Sequence, residues 1–403
     1  MQKAQALDAA DPLAHLRDAF FIPDRMIYLD GNSLGAMPKV ALGIVNEATQ
    51  QEWATDLITS WNKAGWFDLP TVYGDRLAPV IGASAGEVAI CDSTSINLYK
   101  ALFAGLGLRP ARHIILAEKS SFPTDLYMVE GALASREGLE MRLVEDLLGA
   151  IDETVAVVLV NHVDYRTGAL APVEAITARA HETGAVVIWD LCHSAGVLPV
   201  GLNAGGADLA IGCTYKYLNG GPGAPAFIYC AARHLAQVTQ PLSGWWGHAT
   251  PFAFDTGFTP DAGIRKFLCG TQPILSFRAL AAGLDMIAAL DMAEVRAKSQ
   301  SLTSLFIELV EAKVPTLMLA SPREAGKRGS QVSFSHEHAY LIVQALIERG
   351  VVEDFRMPNV LRFGFSPLYI RHMDVVRAVD ILHEIMETKA WKASRFQTRG
   401  TVT

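Results

Sequence analysis

Between Ala85 and Cys230 the chain alternates short, unbroken apolar runs with longer stretches that carry apolar residues at helical spacing. The runs are Glu87–Cys91, His113–Ala117, Met141–Val144, Val155–Val160, Ala185–Trp189 and Leu209–Cys213. A strand with one wet face alternates apolar and polar residues. A run that is apolar throughout has both faces covered, as in a parallel sheet flanked by helices. Ala171–Glu182 has helical spacing and stops at Gly184, a natural left-handed helix end. This β-α-β rhythm predicts an α/β fold built on a mostly parallel, doubly wound sheet.

After Pro273 the texture changes. Ile274–Leu290 and Met292–Ala312 read as long helices, the first able to bridge two lobes. Gln331–Ser335, Ala339–Arg349 and Val360–Phe365 read as strand, helix and strand, with a last helix near Asp374–Thr388. The polar segment Ser321–Ser330 reads as an exposed turn. With 403 residues, two lobes are expected. They are a large domain over 61–285 and a smaller α+β domain over 286–403, with the N-terminal segment 1–60 packing on the smaller one.

A net charge of −8 argues against a nucleic-acid partner, because a phosphate backbone demands a cationic surface. The five cysteines are scattered, with no C-x-x-C pair, which reads as reduced thiols rather than a disulfide framework or a metal site. Met1–Pro12 has no apolar signal-peptide core, and runs such as Thr154–Val160 are too short to span a bilayer. A cytoplasmic protein is expected.

Neither a G-x-G-x-x-G after a strand nor a G-x-x-x-x-G-K-[ST] is present, which argues against dinucleotide and P-loop chemistry. Two strand ends say more. Ala185–Trp189 stops at Asp190, followed by Leu191-Cys192-His193; the next run, Ala207–Cys213, ends in Thr214-Tyr215-Lys216-Tyr217-Leu218-Asn219-Gly220-Gly221-Pro222-Gly223. Residues just past the carboxyl ends of parallel strands line the ligand crevice. An acid and a lysine placed there suit pyridoxal 5′-phosphate (PLP): Lys216 would form the Schiff base, and Asp190 would keep the pyridine nitrogen protonated. Taken alone, an aspartate behind a strand is often a helix cap, and most lysines are solvated. The glycine-rich tail is expected to let backbone pass close to a planar ligand. Upstream, Cys91-Asp92-Ser93-Thr94-Ser95-Ile96-Asn97-Leu98 places hydroxyls at a helix start, which serves either an anion or ordinary capping.

Together these segments resemble the kynureninases, fold-type I PLP enzymes. The resemblance is carried by Tyr28–Gly35, Ser60–Trp66, Ser93–Leu98, Phe122–Asp125, Asn161–Gly168, Trp189–Ala195, Tyr215–Asn219, Gly244–His248, Gly270–Pro273 and Arg362–Tyr369, in family order. It implies PLP-dependent hydrolysis of kynurenine to anthranilate and alanine, a step of tryptophan catabolism. It also implies a homodimer with its sites at the interface. Within that resemblance Phe122 stacks on the ring, and Asp125 and His193 hold its polar edge or the aspartate. Thr94, Ser95 and Tyr215 hold the phosphate, with Trp245 and Thr271 reaching it from the neighbouring subunit. Cβ–Cγ cleavage also needs a proton source at the leaving acyl group, which suits Tyr215 beside Lys216. Arg362 would clamp the α-carboxylate bidentately, Trp61 would pack on the aryl ring, and Ser33 and Asn32 would line the entrance.

Two positions depart from relatives. Gly270-Thr271 stands where forms preferring 3-hydroxykynurenine tend to carry Ser-Asn, so kynurenine is the expected substrate. Asn161 stands where relatives often have Ser or Thr, which leaves its contact with the cofactor open. The rivals are a cysteine desulfurase or aminotransferase of the same fold type, or a silent PLP-binding protein. A desulfurase needs a mobile cysteine, and neither Cys230 nor Cys269 sits in a loop of that character.

Overall fold

A computed structural model describes residues 1–398. Its larger sheet has seven strands: β1 Val88–Ile90, β2 Ile114–Glu118, β3 Glu140–Val144, β4 Val155–Asn161, β5 Val186–Asp190, β6 Leu209–Gly212 and β7 Phe227–Cys230. Their order is β1-β7-β6-β5-β4-β2-β3. Only β7 runs against its neighbours, so the sheet is mixed and mostly parallel, as the apolar runs predict. Every residue of β5, β6 and β7 is buried, as is all of β4 but Asn161. Helices α1 Thr94–Leu108, α2 Pro123–Ser135 and α3 Val173–Thr183 belong to this layer, and α3 ends at Gly184 with φ +79°. The reversed strand β7 escaped the sequence reading, because four apolar residues behind a glycine-proline turn carry no periodicity.

The second sheet is antiparallel, in the order β8 Met318–Leu319, β9 Gln331–Ser335, β11 Val360–Gly364, β10 Asp354–Arg356. Around it stand α5 Met292–Lys313, α6 Ala339–Glu348 and α7 His372–Thr388; α4 Ile274–Ala288 precedes them. The turn expected to be exposed at Ser321–Ser330 is exposed in its middle, at Arg323, Glu324, Gly326 and Lys327, while Ser321, Arg328 and Ser330 are buried. Arg328 donates to the carbonyls of Pro322 and Arg323 and to the hydroxyls of Thr303 and Ser304. A chain of loop carbonyls thus solvates a guanidinium that composition alone places in water.

The first residues divide between elements. Gln2–Ala9 is a helix whose Asp8 accepts from the backbone N–H of His372 (2.7 Å) and Met373 (3.0 Å), capping α7. Asp11 pairs with Lys298 of α5 at 2.6 Å, both side chains buried. Ile27–Tyr28 pairs in parallel with Val351–Val352, while Val40–Glu47 packs on α4. No helix among the described residues is long and apolar enough to cross a membrane.

Candidate active site

The carboxyl ends of β4, β5 and β6 and the starts of α1 and α2 surround a cavity of about 290 Å³. Register fixes the centre, since Asn161 ends β4 directly beside Asp190 at the end of β5. Of the residues singled out from the sequence, Thr94, Ser95, Phe122, Asp125, Asn161, Asp190, His193, Tyr215 and Lys216 all line it. Thr124, Val163, Tyr165 and Cys192 line it too, without having been foreseen.

Asn161 organises the acids. Its Nδ2 donates to Asp125 Oδ2 at 2.7 Å and to Asp190 Oδ2 at 2.8 Å, while its Oδ1 accepts from the Phe122 N–H at 3.1 Å. Asp190 also accepts from the Cys192 N–H at 2.7 Å. Burial, then the neighbouring charge of Asp190, pushes Asp125 well above the usual carboxylate range. Asp125 therefore favours its neutral form. The contact left open at position 161 is in this structure a bridge between two acids.

Lys216 Nζ lies 3.0 Å from His193 Nε2, and 5.9 Å from the ring centroids of both Phe122 and Tyr215. His193 Nε2 also lies 3.2 Å from the carbonyl oxygen of Asn32. Burial, reinforced by Lys216, holds His193 well below its ordinary value, so the ring is neutral. Burial raises the Tyr215 hydroxyl, which keeps its proton. Ser93 is the N-cap of α1, accepting from the Ile96 N–H at 3.4 Å. Thr94 and Ser95 thus occupy the first turn, where N–H groups have no acceptor within the helix. Phe122 keeps 37% of its surface exposed and is braced edge-on by Tyr165, with centroids 5.2 Å apart.

Other foreseen residues lie elsewhere. Trp61, Trp245 and Thr271 do not line this cavity. Trp61 sits in an aromatic cluster, 6.0 Å from Trp245 and 5.2 Å from Trp246 between centroids. Trp245 and Thr271 are exposed, and the adjacent Gln272 accepts from the Asp92 N–H at 3.0 Å. Asn32 is wholly buried, which corrects its expected place at an entrance. The glycine tail is corrected as well. A Cβ on Gly220 would meet Leu280 and the Thr214 carbonyl, and Gly221 and Gly223 take positive φ with open space around them. These glycines shape a turn beside α4 rather than an approach to the cavity.

Arg362 is buried in β11, between two neighbours, not on an edge. Its Nε donates to Asp354 Oδ1 at 2.7 Å and its Nη2 to Asp354 Oδ2. Nη2 also donates to Ser33 Oγ at 2.9 Å, and Nη1 to the Tyr165 carbonyl at 2.7 Å. Ser33 in turn donates to Asp354 at 2.6 Å. Sequence reasoning missed Asp354; its only trace is the pair Glu353-Asp354 inside an apolar stretch.

The family description "Kynureninase C-terminal domain" matches residues 295–382. A kynureninase of Burkholderia pseudomallei strain 1106a is 51% identical over 412 aligned residues, covering 100% of this chain and 99% of that protein. One from Pseudomonas fluorescens is 52% identical over 408, covering 99% and 98%. The chain belongs to the kynureninase family. Among solved structures, a cysteine desulfurase from Thermococcus onnurineus matches with a TM-score of 0.78 at 20% identity, over 93% of this chain and 98% of that one. The cysteine desulfurase CsdA from Escherichia coli gives 0.78 at 18% identity, over the same shares. At such identities the likeness is one of fold, and it places this kynureninase-family chain in the α/β architecture those enzymes share.

Proposed function

We propose that the chain uses pyridoxal 5′-phosphate to hydrolyse kynurenine to anthranilate and alanine. The observation that carries this is the convergence of Lys216, Asp190 and the open first turn of α1 on one cavity, in a chain half-identical to kynureninases along its whole length. The residues fit the cofactor. The first turn of α1, with Thr94 and Ser95, supplies donors and a positive helix end for the phosphate. Asp190, held by Asn161 and the Cys192 N–H, would pair with the pyridine nitrogen. Phe122 offers its exposed ring for stacking. When bound, the cofactor supplies an electron-accepting ring that steadies negative charge at the substrate carbon.

The chain's own groups move the protons. Lys216 Nζ takes the proton from the substrate α-carbon and returns one to the alanine fragment. The neutral His193, its Nε2 3.0 Å from Nζ, adds no competing charge. Water adds to the γ-carbonyl, the Cβ–Cγ bond breaks, and Tyr215, kept protonated by burial, serves the leaving acyl side. Arg362 receives the α-carboxylate, with Ser33 beside it. Trp245, Thr271 and Trp61, standing apart from their own chain's cavity, serve the cavity of a second copy: Trp245 and Thr271 at the phosphate, Trp61 at the aryl ring. The enzyme is on this reading a cytoplasmic homodimer that prefers kynurenine to its 3-hydroxy form, with domain limits at residues 60 and 285.

Anthranilate fluorescence after addition of kynurenine tests the proposal. Lys216→Ala is expected to lower turnover at least ~10²-fold, the scale of a lost proton-transfer group. Release of alanine from cysteine, with no anthranilate from kynurenine, overturns it in favour of a desulfurase.

A further inference from the structure

Arg362 does not itself line the cavity; it is held beside it through Tyr165, which does, and is already engaged. In the register of the second sheet Asp354 of β10 stands directly opposite Arg362 of β11. The carboxylate takes the guanidinium side-on, through Nε and Nη2. Ser33 takes the second Nη2 proton, and the Tyr165 carbonyl takes one proton of Nη1. A guanidinium has five N–H groups. Four are spoken for, and the one that remains is on Nη1, the nitrogen bonded to a residue that lines the cavity. With Asp354 in place, a two-pronged grip on an incoming carboxylate is not available.

Charge points the same way. Arg356 Nη2 lies 2.7 Å from Asp354 Oδ2, so one carboxylate answers two guanidinium groups. The other acids nearby are Asp30 and Glu353, and burial raises both, Asp30 to about 7, so that below this pH Asp30 carries no charge. Burial also works against ionisation of Asp354, but Arg362 outweighs it and keeps Asp354 charged. Below about pH 7 the cluster therefore carries one surplus positive charge, which a single substrate carboxylate neutralises.

We propose that Asp354 is a positioning residue for substrate recognition: it fixes the Arg362 guanidinium edge-on so that the remaining Nη1 N–H receives the α-carboxylate of an amino-acid substrate. This rests on the reading of Arg362 as the carboxylate's partner. The alternative is a buried ion pair that merely holds two strands together.

The experiment compares kynurenine with its decarboxylated amine, used as a competitive inhibitor, on the cofactor-loaded enzyme. In Asp354→Asn, KM for kynurenine is expected to rise ~10-fold or more with kcat within about twofold, while the inhibition constant of the amine stays put; the span is that of a charged hydrogen bond lost. Asp354→Glu keeps the charge but displaces the fork, and is expected to give the same split, which covers the case in which the asparagine variant does not fold. An unchanged KM in whichever variant folds, or equal losses for kynurenine and the amine, overturns the positioning role. Arg362→Lys separates the two levels. If it leaves the KM for kynurenine unchanged, the reading of Arg362 itself fails. If it raises that KM while the Asp354 variants do not, only the role of Asp354 falls.

Discussion

Asp30 sits among groups that set its charge from several directions. It faces Asp354, Arg362 and Ser33, with Arg356, Glu353, Tyr28 and Tyr217 also within electrostatic reach. Burial and the charge of Asp354 push it up to about 7. Asp354 has both guanidinium groups and stays ionised, so the proton goes to Asp30. A folded-state value above the unfolded one, ordinarily near 3.8, means that folding tightens the hold on this proton. The associated stability is complete below about pH 4, is lost as pH climbs to about 7, and stays lost above. Asp30→Asn removes the titration. The stability of this variant relative to the parent, read from urea midpoints, is expected to improve steadily between pH 4 and 7 and then level off. A flat difference would show that Asp30 is ionised throughout. Asn161 makes the same point about reading single residues. Its identity in the sequence departs from its relatives, yet only the register of β4 against β5 reveals that its amide is shared by two acids.

At the scale of elements, α5 and α7 contain a near-coincidence. Ser301 Oγ lies 2.9 Å from His372 Nε2, and His372 Nδ1 lies 2.9 Å from Asp8 Oδ1. Those distances match a serine–histidine–acid relay, but Ser301 is in the interior of a helix, whose N–H groups are spent on the helix itself. The arrangement is a staple. Asp8→Ala is expected to cost about 1–2 kcal/mol, the worth of a helix cap, and to lower the melting temperature. Ser301→Ala should leave kynurenine turnover untouched; a large loss of activity in that variant would contradict the structural role. The same cap explains a misplaced boundary. From local sequence the last helix starts near Asp374, whereas it begins at His372 because a carboxylate from the far end of the chain satisfies its first N–H groups. Local patterns cannot announce a partner 364 positions away.

For the whole molecule, what was legible followed from periodicity. Buried strands read as apolar runs, strand ends located Asp190 and Lys216, and the helix start located Thr94 and Ser95, so most of the cavity was visible in advance. Arg362 was visible as a residue but not in its setting, since Asp354, Ser33 and Tyr165 reach it from three separate segments. The surface tells of something further. Trp53, Ile58, Phe252 and Phe254 are each more than half exposed, and Trp245, 37% exposed, lies against Phe252. So many large apolar side chains in water call for a cover, which supports the proposed homodimer. Sedimentation is expected to give twice the mass of one chain. Phe254→Asp, at a site 84% exposed and so free of the chain's own core, is expected to favour single chains and to lower activity at least ~10-fold. A fully active monomer would remove Trp245 and Thr271 from the proposed site.

The carboxylate of Asp8 on the first turn of α7 has a consequence in time as well as space. During synthesis the helix Gln2–Ala9 emerges well before α7, which it caps. Until α7 has been made, Asp8 has nothing to cap, whereas Asp11 already meets Lys298 of α5. The segment holding Asp8 and Asp11 is thus tied first to α5 and only afterwards to α7.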